Sequence, residues 1–116
     1  MIDDFLACLS PGSTVYVAGS CAEPRGLIEL IDANSSSLKD LTFIQQPLGA
    51  VNQRDFSLLV ANSIQRSFFM APQLRTGLIE GRVEFVPKHM RAIFDYLRHV
   101  KLDVALLQAA RDQHGV

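Results

Sequence analysis

Two polar segments of this chain could carry chemistry. The first, Gly19-Ser20-Cys21-Ala22-Glu23-Pro24, follows a short β-rich run and precedes an apolar helix pattern. Glycine lets a backbone turn sharply or approach a ligand closely, and N–H groups at a helix start suit an anion such as phosphate or carboxylate. Glu23 and Pro24 stand where a dinucleotide fingerprint needs its later glycines, and no Gly-Lys-Ser/Thr follows to make a phosphate loop. Ser20 lacks the second flanking glycine of a nucleophile elbow. Cys21, beside a helix start, is placed to gain thiolate character, yet no base is spaced to activate it. A plain structural reading, a Gly turn with Pro opening a helix, stands beside the functional one.

The second segment is Arg111-Asp112-Gln113-His114-Gly115, directly after the last apolar run. An Asp-x-His pair can do acid/base work or orient a loop through hydrogen bonds. A surface turn is the structural alternative. His89 falls at one helix start and His99 at a helix end, where an imidazolium complements the dipole. Three dispersed histidines and two unpaired cysteines have no metal-ligand spacing, so no metal is expected.

The elements that must position these segments alternate. Ile2, Phe5, Leu6 and Leu9 lie on one side of an opening helix, which Pro11-Gly12 breaks. Thr14–Ala18 reads as a buried strand, and Leu27, Ile28, Leu30 and Ile31 as an apolar helix stripe that ends at 34–37. Leu41–Ile44 is a second strand, followed by a Pro47/Gly49 loop and an undecided stretch over 50–64. Ser67–Met70 reads as a third strand, feeding a helix from Pro72 that turns Leu74, Leu78 and Ile79 inward and is capped by Gly81. Val83–Val86 is a fourth strand. Met90, Ile93, Phe94 and Leu97 then make the inward stripe of the clearest helix. Val104–Leu107 reads as a last strand buried on both faces.

Strands alternating with helices of about three turns predict an α/β fold: a Rossmann-like, open, mainly parallel sheet with flanking helices. Ligands of such sheets bind at the carboxyl ends of the strands, where both polar segments fall. The chain has 116 residues, 48% hydrophobic and 20% charged, which fits one α/β domain over 1–116. A net charge of −1 without a basic block argues against nucleic acid as a partner. No apolar stretch approaches the ~20 residues of a membrane span, and the acidic start Met1–Phe5 lacks a signal peptide's positive region. Two cysteines are too few for a disulfide scaffold. A cytoplasmic location without a membrane partner is expected.

Three segments, in order, resemble the acetyl-CoA hydrolase/transferase family, which contains the 4-hydroxybutyrate and acetate CoA-transferases. They are Pro11–Gly19 with Ala22-Glu23-Pro24 and Leu27; Gly81–His89, where the family has Gly-Arg, a strand and Val-Pro-x-His; and Leu102–Gln108 ending in Asp112-Gln113-His114-Gly115. The last departs from the family's Ser-x-x-Asp-x-His-Gly, because Ala109 or Ala110 and Arg111 stand where a serine and a proline are usual.

The resemblance implies the N-terminal half of an enzyme that moves coenzyme A between carboxylic acids, or hydrolyses acyl-CoA. It implies a coenzyme A thioester as substrate and no bound cofactor. Its nucleophilic glutamate would lie outside this chain, in a C-terminal half, so no catalytic residue is assigned to Glu23, Glu29, Glu80 or Glu84. Gly19, Ser20, Glu23, Asp112, His114 and Gly115 would form one wall of the substrate cleft, and the 116-residue piece would be inactive alone. A homo-oligomer is expected, since ending after the last strand leaves a sheet edge exposed. Two other readings stay open: a non-catalytic small-molecule-binding module or half-subunit, and a thiol enzyme using Cys21.

Overall fold

The computed structural model describes residues 1–115. Helix α1 (Ile2–Ala7) leads to strand β1 (Thr14–Val17), helix α2 (Arg25–Ala33) and strand β2 (Thr42–Gln45). Strand β3 (Ile64–Ser67), helix α3 (Arg75–Ile79), strand β4 (Val83–Phe85), helix α4 (Met90–His99) and strand β5 (Val104–Leu106) complete the order. The five strands form one all-parallel sheet in the order β4-β3-β2-β1-β5. The expected open α/β architecture is therefore what the chain adopts. Going from β1 to β4 the chain steps in one direction across the sheet. It then crosses back through α4 to place β5 on the other side of β1, which makes β1/β5 the switch point.

Register assigns the two faces. Val15, Phe43, Gln65 and Val83 are neighbours on one face, and Val17, Gln45, Ser67 and Leu106 lie on it one step further along. The main core sits there, where Ile28 and Ile31 of α2 and Leu9, just past α1, pack on Val15, Val17, Phe43 and Leu106. The link from β2 to β3 contains no α-helix. Instead a 3-10 turn at Phe56–Leu58, with Leu59 and Val60, fills that position, and Phe56 stacks on Phe43 with centroids 5.4 Å apart. The turn that leads into α3 covers the β4 end of the same face, where Ala71 and Leu74 pack on Val83. The opposite face carries α4, whose Ile93 packs with Ile44 and Phe68.

Several expectations need correction. The third strand is Ile64–Ser67, not Ser67–Met70. Its buried positions are the polar Gln65 and Ser67, so no apolar run marks it. β5 is an edge strand and is not buried on both faces: Leu106 is buried, while Leu107 is 62% exposed. In α4 the side towards the sheet is Ile93, Tyr96, Leu97 and Val100 (the last just past the helix), and Met90 and Phe94 are left exposed. α3 is a single short turn that buries Gly77, preceded by the buried Leu74, while Leu78 and Ile79, expected to face inward, are 41% and 86% exposed. Ile2 is likewise exposed. Gly81 does end α3, in the left-handed conformation at φ 79°.

Candidate functional site

The site grows from the turn that leaves β1 at the switch point. Ala18 donates its N–H to the Leu106 carbonyl (3.0 Å), so the ends of β1 and β5 stay together. Gly19 is extended, at φ −100° and ψ −168°, so its role is not conformational freedom. A Cβ there would lie 2.0 Å from the Gln46 carbonyl oxygen. Only glycine lets the turn approach the backbone that follows β2, and that close approach is to protein rather than to a ligand. Ser20 then adopts φ 55°, a left-handed conformation that costs a non-glycine residue energy.

Asn52 supplies the compensation. Its Oδ1 accepts the N–H groups of Ser20 (2.7 Å) and Leu48 (2.8 Å). Its Nδ2 donates to the Ser20 carbonyl (3.0 Å) and to Glu23 Oε2 (2.9 Å). A primary amide has two donor hydrogens and two acceptor lone pairs, and all four are used. Asn52 is 0% exposed, and Gln73 Nε2 donates to its backbone carbonyl (2.6 Å). Gln45, from the end of β2, donates Nε2 to the same Glu23 oxygen (2.9 Å). That donation fixes which way the Gln45 amide points, and its Oε1 is left buried without a protein partner.

Glu23 is thus held on Oε2 by two amides, while Oε1 makes no hydrogen bond among the described residues. Beside it, Arg25 has no ion pair among them. Glu23, Arg25 and Val51 are shared by two concavities. One, of about 500 Å³, is completed by Ile28, Glu29, Ala50, Gln53 and Arg54. The other, of about 300 Å³, is completed by Ser20, Cys21 and Gln108. Arg54 is turned to Asp32 at 3.3 Å. The arrangement can present a fixed carboxylate oxygen and a guanidinium to a small polar ligand, with the Cys21 thiol at the rim.

Among the residues expected at the site, Ser20 and Glu23 meet in one cavity with Gly19 behind them. From the β5 side Gln108 joins them. Asp112, His114 and Gly115 form an exposed turn of their own, in which the His114 N–H bonds to Asp112 Oδ1 (2.8 Å) and Gly115 has φ 84°. Sequence reasoning missed Asn52, Gln45 and Gln108. Asn52 fell in the undecided stretch, and its partner Ser20 is 32 residues away. Burial of a fully bonded amide is its only mark.

The other charged groups serve the frame. Arg82 binds Glu80 (2.7 Å), Asp55 (3.1 Å) and the Ser57 hydroxyl (2.6 Å), tying the β2–β3 link to the start of β4. The Glu80 hydrogen bond above all, outweighing burial and aided by Asp55, holds its guanidinium above the ordinary value. His89 caps α4 by accepting the Ala92 N–H, and His99 Nδ1 donates to the Asp95 carbonyl (2.7 Å). Cys8 and Cys21 are both free and exposed. Among the described residues no helix is long and apolar enough to cross a membrane. Fold and cleft together define an open parallel α/β domain with a preformed pocket at its switch point. No family model matches the chain, and no curated protein matches its sequence.

Proposed function

We propose that this chain is the first α/β half of an acyl-CoA transferase or acyl-CoA hydrolase, and that its Gly19–Glu23 turn forms one wall of the thioester cleft. The observation that carries the reading is the position of that turn. A segment that resembles the family's opening lies at the carboxyl end of β1, at the switch point, with Glu23 fixed by Gln45 and Asn52. The resemblance supplies the chemistry. A glutamate of a second half attacks the acyl-CoA carbonyl, expelling the thiolate and leaving an acyl-glutamyl anhydride. The thiolate then attacks the glutamyl carbonyl and releases the carboxylate. Glu23 has one oxygen committed to two amides, which suits a wall residue rather than that nucleophile. A reducing cytoplasm agrees with its two free thiols. The open strands β4 and β5 agree with self-association.

A second reading, a small-molecule-binding module, is favoured by concavities that this chain forms without help. One set of measurements separates the two. The chain alone is expected to release no thiol from acetyl-CoA and to bind coenzyme A weakly or not at all by calorimetry. Mixed with the separately expressed C-terminal half of a family member, it is expected to turn over acetyl-CoA, with a large loss on Gly19→Ala. Micromolar binding of coenzyme A by the chain alone, or no turnover in the mixture, overturns the first reading.

A further inference from the structure

The face of the sheet that carries the main core holds three polar residues at its centre. Gln45 ends β2, Gln65 and Ser67 lie on β3, and all three are 0% exposed. A parallel sheet covered on both faces ordinarily places valine, isoleucine or leucine at such positions. Register sets the three side by side. Ser67 is the partner of Gln45, and Gln65 is the partner of Phe43, one step back on the same face. Neighbouring strands lie about 4.8 Å apart and two residues rise about 6.6 Å, so the two glutamine Cα atoms are about 8 Å apart. Both side chains can reach into that interval.

Each amide is pinned at one end. Gln45 Nε2 donates to Glu23 Oε2 (2.9 Å) and to the Ala18 carbonyl (3.4 Å), which engages both of its hydrogens. Gln65 Oε1 accepts the Phe56 N–H (2.7 Å). These bonds fix both orientations. Turned over, Gln45 would set an oxygen against the Glu23 carboxylate, and Gln65 would set N–H against N–H. What is left is one acceptor, Gln45 Oε1, and one donor, Gln65 Nε2, both buried and without a partner among the described residues. Ser67 Oγ donates to the Phe69 carbonyl, so its lone pairs remain able to accept.

We propose that Gln45 Oε1, Gln65 Nε2 and Ser67 Oγ bind one internal water molecule. The donor set selects the ligand. An anion would be repelled by Gln45 Oε1 and a cation by the Gln65 N–H groups, so the occupant is neutral and both accepts and donates. Water accepts from Gln65 and donates its two hydrogens to Gln45 and Ser67, the three bonds usual for a buried water. It completes a chain of hydrogen bonds that starts at the Phe56 N–H and passes through Gln65, the water and Gln45. That chain ends on Glu23 Oε2. The hold on the cleft carboxylate is thereby anchored in the 56–60 segment on the far side of β2. The inference stands whatever the cleft at the switch point binds.

A high-resolution crystal structure of the full chain tests the site directly. One water oxygen is expected within about 2.7–3.2 Å of both Gln45 Oε1 and Gln65 Nε2. In solution, the Gln65 side-chain amide protons should show an Overhauser cross-peak to water, with the rotating-frame sign that distinguishes bound water from proton exchange. Gln45→Met keeps the length of the side chain and removes the acceptor. It should abolish that cross-peak while the Phe56 N–H stays protected from hydrogen exchange. A direct Gln65–Gln45 bond, a separate water on each amide, or either amide turned over in the crystal overturns the proposal. So does a missing cross-peak in the unaltered chain, or one that survives Gln45→Met. Should Gln45→Met fail to fold, the crystal structure and spectra of the unaltered chain decide alone.

Discussion

Asn52→Ala removes four hydrogen bonds at once from a residue with no solvent exposure. Each such bond contributes a net 0.5–1.5 kcal/mol, and each buried partner left unpaired adds a further penalty, so the loss is expected near ~3 kcal/mol. With a urea m-value of about 1–3 kcal/mol/M, the midpoint should fall by about 1–3 M at unchanged m. The damage should also be local. Amide protection at Ser20 and Leu48 should vanish while that of Val15 and Phe43 falls only with global stability. Asn52→Asp is the sharper probe, since it sets a second carboxylate against Glu23 Oε2 and removes both donors. Burial and the facing Glu23 are expected to raise its folded-state pKa above the unfolded value near 3.9, outweighing the opposite pull of the Ser20 and Leu48 N–H groups. The variant should therefore be most stable in acid and lose stability as pH rises through the raised pKa. A loss below 1 kcal/mol for Asn52→Ala, or Ser20 protection retained, would refute the claim that this amide holds the turn.

Gly19→Ala is expected to cost ~3 kcal/mol or more, because the new methyl meets the Gln46 backbone and not a movable side chain. Gly26→Ala, in α2 with nothing near a Cβ, should instead stabilise by ~0.5–1 kcal/mol, and thermal melts of the pair check both signs. Asp55→Ala should lower the urea midpoint more than Glu80→Ala. Both carboxylates bind Arg82, but Asp55 is nearly buried and also caps the turn at Ser57. Burial raises the Tyr16 phenol above its ordinary 10.0. Its contribution to stability is therefore fully present below pH 10 and lost as pH rises through the higher value, which ultraviolet titration alongside unfolding, with Tyr16→Phe as control, can follow.

What could be read from the sequence tracks how far each residue's role depends on distant neighbours. Thr14–Val17 is a run of β-branched and aromatic residues that declares itself, and Gly81 ends a helix by a local rule. Ile64–Ser67 does not, because Gln65 is buried for a bond to the Phe56 N–H (2.7 Å) that no pattern within the strand reveals. α4 was legible as a helix, but its rotation was not. Arg66 draws Tyr96 towards β3, and Phe94 is left outside. At the cleft, Gly19 and Glu23 could be singled out from their place after a strand. The amides of Gln45 and Asn52 come from chain that only the fold returns to that turn.

The position of β5 bears on how the chain is made. Its pairing with β1 closes over 89 residues, where the Thr14 N–H meets Asp103 Oδ2 at 2.8 Å and the Asp103 N–H meets the Thr14 carbonyl at 2.9 Å. On a ribosome adding about 5–20 residues per second, β1 waits several seconds for that neighbour. β2, β3 and β4 can dock meanwhile in order of emergence, each beside the last. Throughout that interval the outer edge of β1 is an open template, next to the turn that becomes the cleft. Between the appearance of Val17 and that of Leu106 that edge has no partner strand, and the switch point is the last part of the sheet to close.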